Sequence, residues 1–164
     1  MKNNHPPSNA KAPIHLLLVD DEKGFAEALT RRLKIRGYEA YYVLSGEACL
    51  RFLDENPSID VVLLDVKMPG LDGVETLRRI KAVHPLIETI MLTAHATIAS
   101  AVKALRIGAR DYLMKPCDME TLTAKIESAV RYKKEREGKI FDVRTRPYIT
   151  DREKEKLIAA ILSS

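Results

Sequence analysis

The residues DVVLLDVKMPG, at positions 60–70, indicate the fold class of this chain. Residues 61–64 form a continuous apolar run of strand length, without the alternation that marks a strand with one face in water. This pattern is typical of a central strand in a parallel sheet, because helices cover such a strand on both faces. The run ends at Asp65, and Pro69 and Gly70 then predict a tight turn.

Four further apolar runs of strand length lie on either side of this segment. They are residues 14–19, 40–44, 87–92 and 111–114. Between the runs lie segments of helix length with apolar residues three or four positions apart, and Gly37, Pro85 and Gly108 stand where those helices should end. Strands that alternate with helices predict right-handed βαβ units with helices on both faces of one sheet. The predicted fold class is therefore α/β, doubly wound.

The composition is that of an ordinary globular protein. Of the 164 residues, 46% are hydrophobic and 30% are charged. No apolar run approaches the roughly 18 residues of a membrane span, and residues 1–13 lack the apolar core of a signal peptide. Cys49 and Cys117 have neither zinc-site spacing nor the pattern of a disulfide framework. We therefore expect a cytoplasmic protein in a reducing compartment, with no membrane contact.

The formal net charge of +4 lies in the C-terminal part of the chain. Acidic and basic residues balance over residues 1–130, and the basic excess falls in residues 131–164. A neutral body with a mildly basic tail is usually solvated charge, and the scattered aromatic residues offer no stacking platform for single strands. We expect no direct contact between this chain and nucleic acid.

Polar residues follow the predicted strands at the ends where ligands bind in this fold class. They are Asp20, Asp21, Asp65, Thr93 and Lys115. Each alone is more often structural, since one aspartate at a strand end usually caps a helix and Lys-Pro usually forms a turn. Together they indicate chemistry, because three carboxylates at one edge repel one another unless a cation neutralises them. Oxygen ligands of this kind suit Mg²⁺, and the Asp65 carboxylate could attack phosphorus to form an aspartyl phosphate.

Four segments resemble the signature motifs of response-regulator receiver domains of two-component signal transduction. They are VDDE at 19–22, LDVKMPG at 64–70, MLTA at 91–94 and YLMKP at 112–116. They stand in the family's order and at its spacing, and the resemblance covers residues 14–132. Gly73 and residues 101–113 are most similar to receivers of the nitrogen-regulatory subclass.

The resemblance implies a flavodoxin-like five-stranded parallel sheet of order 2-1-3-4-5 that accepts phosphate from a sensor histidine kinase. It implies that Asp65 is the phosphoacceptor. It also implies that Mg²⁺ is held by Asp20, Asp21, Asp65 and the backbone carbonyl of Lys67. The protein would then be a phosphorelay signalling module with self-catalysed phosphoryl transfer and autodephosphorylation, rather than a dedicated enzyme.

The resemblance also implies how the signal leaves the phosphorylated site. Lys115, aimed by a cis peptide bond to Pro116, and Thr93 would contact the phosphoryl group. Thr93 and Tyr112 would form the switch. The resulting change would reach the face formed by helix 4, strand 5 and helix 5, where a downstream effector protein, or a second copy in a homodimer, would bind.

Three parts of the chain are predicted. They are a disordered N-terminal segment (1–12), a receiver domain (13–137), and a linker with a short amphipathic C-terminal helix (138–164). Gly138 is predicted to end the last receiver helix, and Thr150 to cap the final helix. We expect that final helix to pack against a receiver surface, either its own or that of a second copy.

Three alternatives stay open from the residues alone. The chain could be the receiver portion of a longer DNA-binding transcriptional regulator, because residues 149–155 resemble the opening of one class of output domain. A single helix is nevertheless too little for a helix-turn-helix. A phosphatase of the haloacid-dehalogenase class would need a second aspartate where this chain has Lys67. A flavin or nucleotide binder on the same fold lacks the expected glycine-rich motifs.

Overall fold

A computed structural model describes residues 11–164, so most of the predicted disordered segment lies outside the described residues. Five strands form one parallel sheet in the order β2-β1-β3-β4-β5. The strands are β1 (His15–Val19), β2 (Glu39–Val43), β3 (Val61–Leu64), β4 (Glu88–Thr93) and β5 (Asp111–Met114). This order confirms the predicted flavodoxin-like, doubly wound fold.

Helices follow every strand, and a further helix ends the described chain. They are α1 (Lys23–Ile35), α2 (Gly46–Glu55), α3 (Gly73–Val83), α4 (Ile98–Ile107), α5 (Met119–Thr145) and α6 (Asp151–Ser163). Side-chain caps begin the two helices that lie beside the predicted site. Asp72 accepts a hydrogen bond from the Glu75 amide at α3, and Thr97 forms a capping box with Ser100 at α4.

The continuous apolarity of β3 follows from two apolar layers, one on each face of the sheet. Val61 and Leu63 pack towards α1 and α5, whereas Val62 and Leu64 pack towards α2, α3 and α4. All four side chains have no exposed surface. Because successive residues of a strand point to opposite faces, burial on both faces requires an apolar residue at every position.

The helix α5 is longer than the sequence predicted. Gly138 was expected to end it, and that prediction is wrong, because the helix continues to Thr145. Beyond Gly138 the side chains of Ile140 and Val143 are buried. Tertiary packing of this kind stabilises a helix across a residue of poor helix propensity. The predicted linker therefore reduces to the few residues between α5 and α6.

The final helix begins after the cap at Thr150, as predicted, and packs against α5 of its own chain. The Arg136 guanidinium donates a hydrogen bond to the Leu162 carbonyl at 2.9 Å, and the Tyr132 hydroxyl donates one to the Ser164 carbonyl at 3.1 Å. Within residues 11–164, every helix is too short or too polar to cross a lipid bilayer.

Candidate functional site

The parallel strands bring four of the predicted residues to the edge of the sheet where the strands have their carboxyl ends. Thr93 is the last residue of β4. Asp20 directly follows β1, Asp65 directly follows β3, and Lys115 directly follows β5. The side chains of Asp20, Asp65 and Thr93 are buried, whereas Asp21 is exposed. Because β1, β3 and β4 are neighbours in the sheet, their carboxyl ends open onto a single pocket.

Three carboxylates form the centre of this pocket. One oxygen atom from each of Asp20, Asp21 and Asp65 lies within 4.8 Å of the other two. The Oδ1 atom of Asp65 is buried and has no hydrogen-bond partner among residues 11–164. A buried carboxylate oxygen without a partner is costly in free energy, so a cation bound here would stabilise the site. The donors are carboxylate oxygen atoms, which are the ligands that Mg²⁺ prefers, so this set fits Mg²⁺.

The electrostatic surroundings of Asp65 oppose its charged form. Burial raises the pKa of its carboxyl group above the ordinary value, and the neighbouring charge of Asp20 adds to this rise. The Thr93 hydroxyl and the Lys115 charge act in the opposite direction. The pocket therefore contains a carboxylate that additional positive charge would keep ionised and able to react.

Lys115 supplies one positive charge to this pocket. Its ammonium group forms an ion pair with Asp20 and lies 3.9 Å from Asp65 Oδ2. The peptide bond between Lys115 and Pro116 is cis, as the resemblance implied. The lysine side chain is 11% exposed, so its charge is held against the carboxylates rather than in water.

Phe25 is a residue of this pocket that the sequence reasoning did not assign to it. The Lys115 Nζ atom lies 4.0 Å from the centroid of the Phe25 ring, in cation–π contact. In the sequence Phe25 belongs to the apolar stripe of α1. Its position one helical turn after Asp21 was the available signal that it faces the site.

The loop after Asp65 is held by close packing against the start of α3. The Gly73 amide donates a hydrogen bond to the Val66 carbonyl at 2.8 Å. A Cβ atom on Gly73 would lie 1.9 Å from the Asp65 carbonyl oxygen, so only glycine fits there. Lys67 lies in this loop, two residues after Asp65, with its side chain exposed.

The two predicted switch residues have separate hydrogen bonds in this structure. Thr93 Oγ1 accepts a hydrogen bond from the His95 amide at 3.0 Å. The Tyr112 hydroxyl lies 2.8 Å from the Ser100 hydroxyl, in the first turn of α4. The Tyr112 hydroxyl is thus hydrogen-bonded to α4 and not to Thr93.

Large apolar side chains of α4 and β5 are exposed near this switch. They are Ile98 at 86%, Val102 at 41%, Leu105 at 49% and Met114 at 62% exposure. Exposed apolar residues that cluster in this way are typical of a surface that binds another protein. They lie on the face that the resemblance assigned to signalling.

A protein-family model described as the response regulator receiver domain matches residues 16–127. Among curated proteins, the chain is 39% identical to the transcriptional regulatory protein ZraR of Escherichia coli over 119 residues, which are 73% of this chain and 27% of ZraR. It is 38% identical to the transcriptional regulatory protein FixJ of Bradyrhizobium diazoefficiens over 119 residues, covering 71% of this chain and 57% of FixJ. The chain thus spans about a quarter of the length of ZraR.

Solved structures show the same likeness. A crystal structure of a response regulator receiver domain protein from Clostridium thermocellum superposes with a TM-score of 0.71 and 38% identity, covering 74% of this chain and 97% of that one. The BeF₃-activated DrrB receiver domain has a TM-score of 0.63 and 31% identity, covering 73% of this chain and 98% of that one.

Proposed function

The chain belongs to the family of response regulator receiver domains, and from this membership we propose that Asp65 accepts a phosphoryl group from a sensor histidine kinase. The observation that carries the proposal is the buried Asp65 Oδ1 atom, which lacks a hydrogen-bond partner among residues 11–164. The Asp65 carboxylate lies beside two further carboxylates, and its Oδ2 atom lies 3.9 Å from the Lys115 ammonium group. The cytoplasm, where a kinase presents its phosphohistidine, is the proposed location.

Each residue of the pocket has its own role in the proposed phosphoryl transfer. An Asp65 oxygen attacks phosphorus while the bond from phosphorus to the donor breaks. Asp20, Asp21, Asp65 and the Lys67 carbonyl would hold Mg²⁺, which supplies positive charge for the phosphoryl oxygens when it is bound. The Lys115 ammonium group, already 3.9 Å from Asp65, would pair with one of those oxygens.

The switch follows from the hydrogen bonds that a phosphoryl group on Asp65 would demand. The Thr93 hydroxyl accepts from the His95 amide, which leaves its own proton free to be donated to a phosphoryl oxygen. Tyr112 can then move towards Thr93 only if its 2.8 Å hydrogen bond with Ser100 breaks. Because Ser100 belongs to the capping box of α4, this movement alters the start of that helix. An effector protein, or a second copy of the chain, would bind the altered face of α4, β5 and α5.

A second candidate is the receiver portion of a longer transcriptional regulator. It is favoured by the curated relatives, since both ZraR and FixJ are described as transcriptional regulatory proteins and both extend beyond the matched segment. In that case the same phosphorylation would control an output domain outside these 164 residues. The phosphatase and nucleotide-binding alternatives have no support in the family match.

The proposal is tested by labelling with acetyl phosphate, read by intact-protein mass spectrometry. The wild-type chain should gain one phosphoryl group in the presence of Mg²⁺ and none when Mg²⁺ is chelated. Asp65→Asn should abolish the labelling, because an amide is not a nucleophile towards phosphorus. Asp54→Asn makes the same chemical change at an exposed aspartate that contacts His84, and it should label like the wild type. Stable labelling of Asp65→Asn at the wild-type level would contradict the proposal.

A further inference from the structure

A buried glutamate surrounded by basic side chains lies at the opposite edge of the sheet from Asp65. Glu88 begins β4, and its side chain has no exposed surface. Its carboxylate oxygens lie 2.8 Å from Arg136 Nη1, 3.2 Å from Arg110 Nε and 3.8 Å from Lys81 Nζ. Three positive charges therefore meet one negative charge, which leaves an excess of two.

These basic residues line a cavity of about 450 Å³ between α3, α4, α5 and the end of α6. Lys81, Arg110 and Arg136 line its interior, and Arg106 joins them from α4. Among the described residues, four basic side chains and no acidic side chain line this cavity. Glu88 does not line the cavity, so the charged side chains that do line it are all basic; Ser163 and Ser164 of the C-terminal helix complete the wall.

Arg136 is the most deeply buried of these cations, with 4% of the residue exposed. Its two Nη atoms donate hydrogen bonds to Glu88 and to the carbonyl oxygens of Pro85 and Leu162. Its Nε atom is also buried and has no hydrogen-bond partner within residues 11–164. An unpartnered charged donor in a buried position is destabilising unless an acceptor reaches it.

Lys81 and Arg106 also have donor capacity to spare. The Lys81 ammonium group donates to the Ile87 carbonyl at 2.7 Å, which uses one of its three N–H bonds. Burial lowers the pKa of Lys81 to about 8, a fall to which Arg136 and Arg110 also contribute. Arg106 is exposed and forms no ion pair with any residue of the described chain. Positive charge and N–H donors thus converge on one concave surface.

We propose that this cavity binds a phosphate dianion, either inorganic phosphate or the phosphate group of a small-molecule ester. A dianion complements this excess of positive charge, and its oxygens accept hydrogen bonds from arginine and lysine. The cavity is much larger than a single phosphate ion, so it also has room for the organic part of an ester. The bound anion would connect α3, α4 and α5, and it would lie against the end of α6.

The test is a nuclear magnetic resonance titration of the isotope-labelled 164-residue chain, at constant ionic strength and without Mg²⁺. The probes are inorganic phosphate and adenosine monophosphate, each compared with chloride. Gly108 and Ala109 line the cavity just before β5, at the opposite end of the sheet from Asp65, so their amide signals report on the cavity. We expect saturable shifts of these two amides with at least one phosphate probe and no saturable shift with chloride.

Two matched variants on α4 separate a specific site from general attraction by a basic surface. Arg106→Ala removes a cation that lines the cavity, and it should weaken phosphate binding by about tenfold. Lys103→Ala removes an exposed positive charge from the same helix outside the cavity lining, and it should leave the affinity unchanged. Lys81→Met, which keeps an aliphatic side chain of similar length, should weaken binding at least as much as Arg106→Ala.

The relative affinities of the two probes identify which part of the ligand the cavity recognises. Equal affinity for the two probes means that the phosphate group alone is recognised, and tighter binding of adenosine monophosphate identifies an ester as the ligand. Tighter binding of inorganic phosphate identifies the free ion. The proposal is overturned if neither probe gives saturable shifts, or if Arg106→Ala and Lys81→Met both bind phosphate as the wild type does.

Discussion

Burial disfavours the charged form of two side chains at opposite ends of the sheet. It raises the pKa of the Asp65 carboxyl group, and it lowers the pKa of Lys81 to about 8. Each group has a partner of opposite charge, Lys115 for the aspartate and Glu88 for the lysine, but neither partner compensates fully. At the scale of single residues, the two ends of this domain therefore hold charge that a bound ion could balance.

Because folding lowers the pKa of Lys81, the free energy of unfolding should rise with pH through this residue. Its pKa falls from the ordinary 10.5 to about 8 on folding, with Glu88, Arg110 and Arg136 facing it. Between these values the unfolded chain binds more protons, so rising pH should stabilise the wild type through Lys81 by about 1.4 kcal/mol for each pH unit. The stability of Lys81→Met relative to the wild type should therefore be greatest below pH 8 and should decline towards pH 10.5.

Urea unfolding of both proteins across this pH range measures the difference. Lys103→Met is the control, because it makes the same change at a lysine that is exposed on α4. A difference between Lys81→Met and the wild type that stayed constant with pH would show that burial does not perturb this lysine.

Thr93 is expected to couple phosphorylation to the surface without being needed for phosphorylation itself. Thr93→Ala should accept phosphate on Asp65 but lose the change in amide shifts at Val102 and Met114, because no hydroxyl then links the phosphoryl group to Tyr112. Thr89→Ala makes the same change in the same strand, four residues away at the other end of β4, and it should keep the full response. A full response in Thr93→Ala would exclude this switch.

At the scale of secondary structure, the site depends on how closely α3 begins against the end of β3. Gly73 has no left-handed backbone angle, so space alone requires glycine there: the Asp65 carbonyl oxygen occupies the place of a Cβ atom. The helix is then anchored by its Asp72 cap and by the Gly73 amide. The start of α3 thus positions the backbone of Asp65, the proposed phosphoacceptor.

Gly73→Ala should therefore damage both stability and phosphorylation. Overpacking against a backbone atom costs about 1–3 kcal/mol of unfolding free energy, and displacement of Asp65 should slow labelling by acetyl phosphate. Gly24→Ala in α1 is the matched control, since no atom lies within 4 Å of the added Cβ, and it should be neutral or stabilising by up to about 1 kcal/mol. Unfolding midpoints and labelling rates measure both effects, and equal behaviour of the two variants would contradict the steric explanation.

At the scale of the whole molecule, α5 and α6 form a helical hairpin that extends the receiver body. The buried side chains Ile140 and Val143 lie beyond the predicted end of α5, and the residues that face them come from α6. Arg136 links this hairpin to the sheet through Glu88 and to the end of α6 through Leu162. The C-terminal region therefore belongs to the folded unit of the described chain.

Deleting residues 147–164 should lower the unfolding free energy by about 2–4 kcal/mol, because Ile140 and Val143 become exposed again. Ile158→Ala, on the face of α6 that meets Ile140, should reproduce part of this loss, whereas Lys156→Ala on its exposed face should not. Urea unfolding measures the stability, and sedimentation at several concentrations shows whether the uncovered α5 surface associates with a second copy. Unchanged stability after the deletion would mean that α6 is a passive tail.

The fold class and the residues at the site could be predicted from the sequence, because both depend on local patterns. Apolar runs without alternation mark strands buried on both faces, and the carboxyl ends of such strands must meet at one edge. This is why Asp20, Asp65 and Lys115 could be placed together before any distance was known. The individual roles of these residues remain predictions.

Four features could not be predicted from local patterns: the continuation of α5 past Gly138, the packing of α6 on α5, the ring of Phe25 beneath Lys115, and the basic cavity. Each depends on side chains that meet across long stretches of chain: Glu88 and Arg136 are 48 residues apart. A glycine can end one helix and lie inside another, because the outcome depends on whether the residues after it are buried. Local helix propensity does not predict that burial. Long-range contacts between side chains, which no periodicity encodes, are the physical reason for the difference.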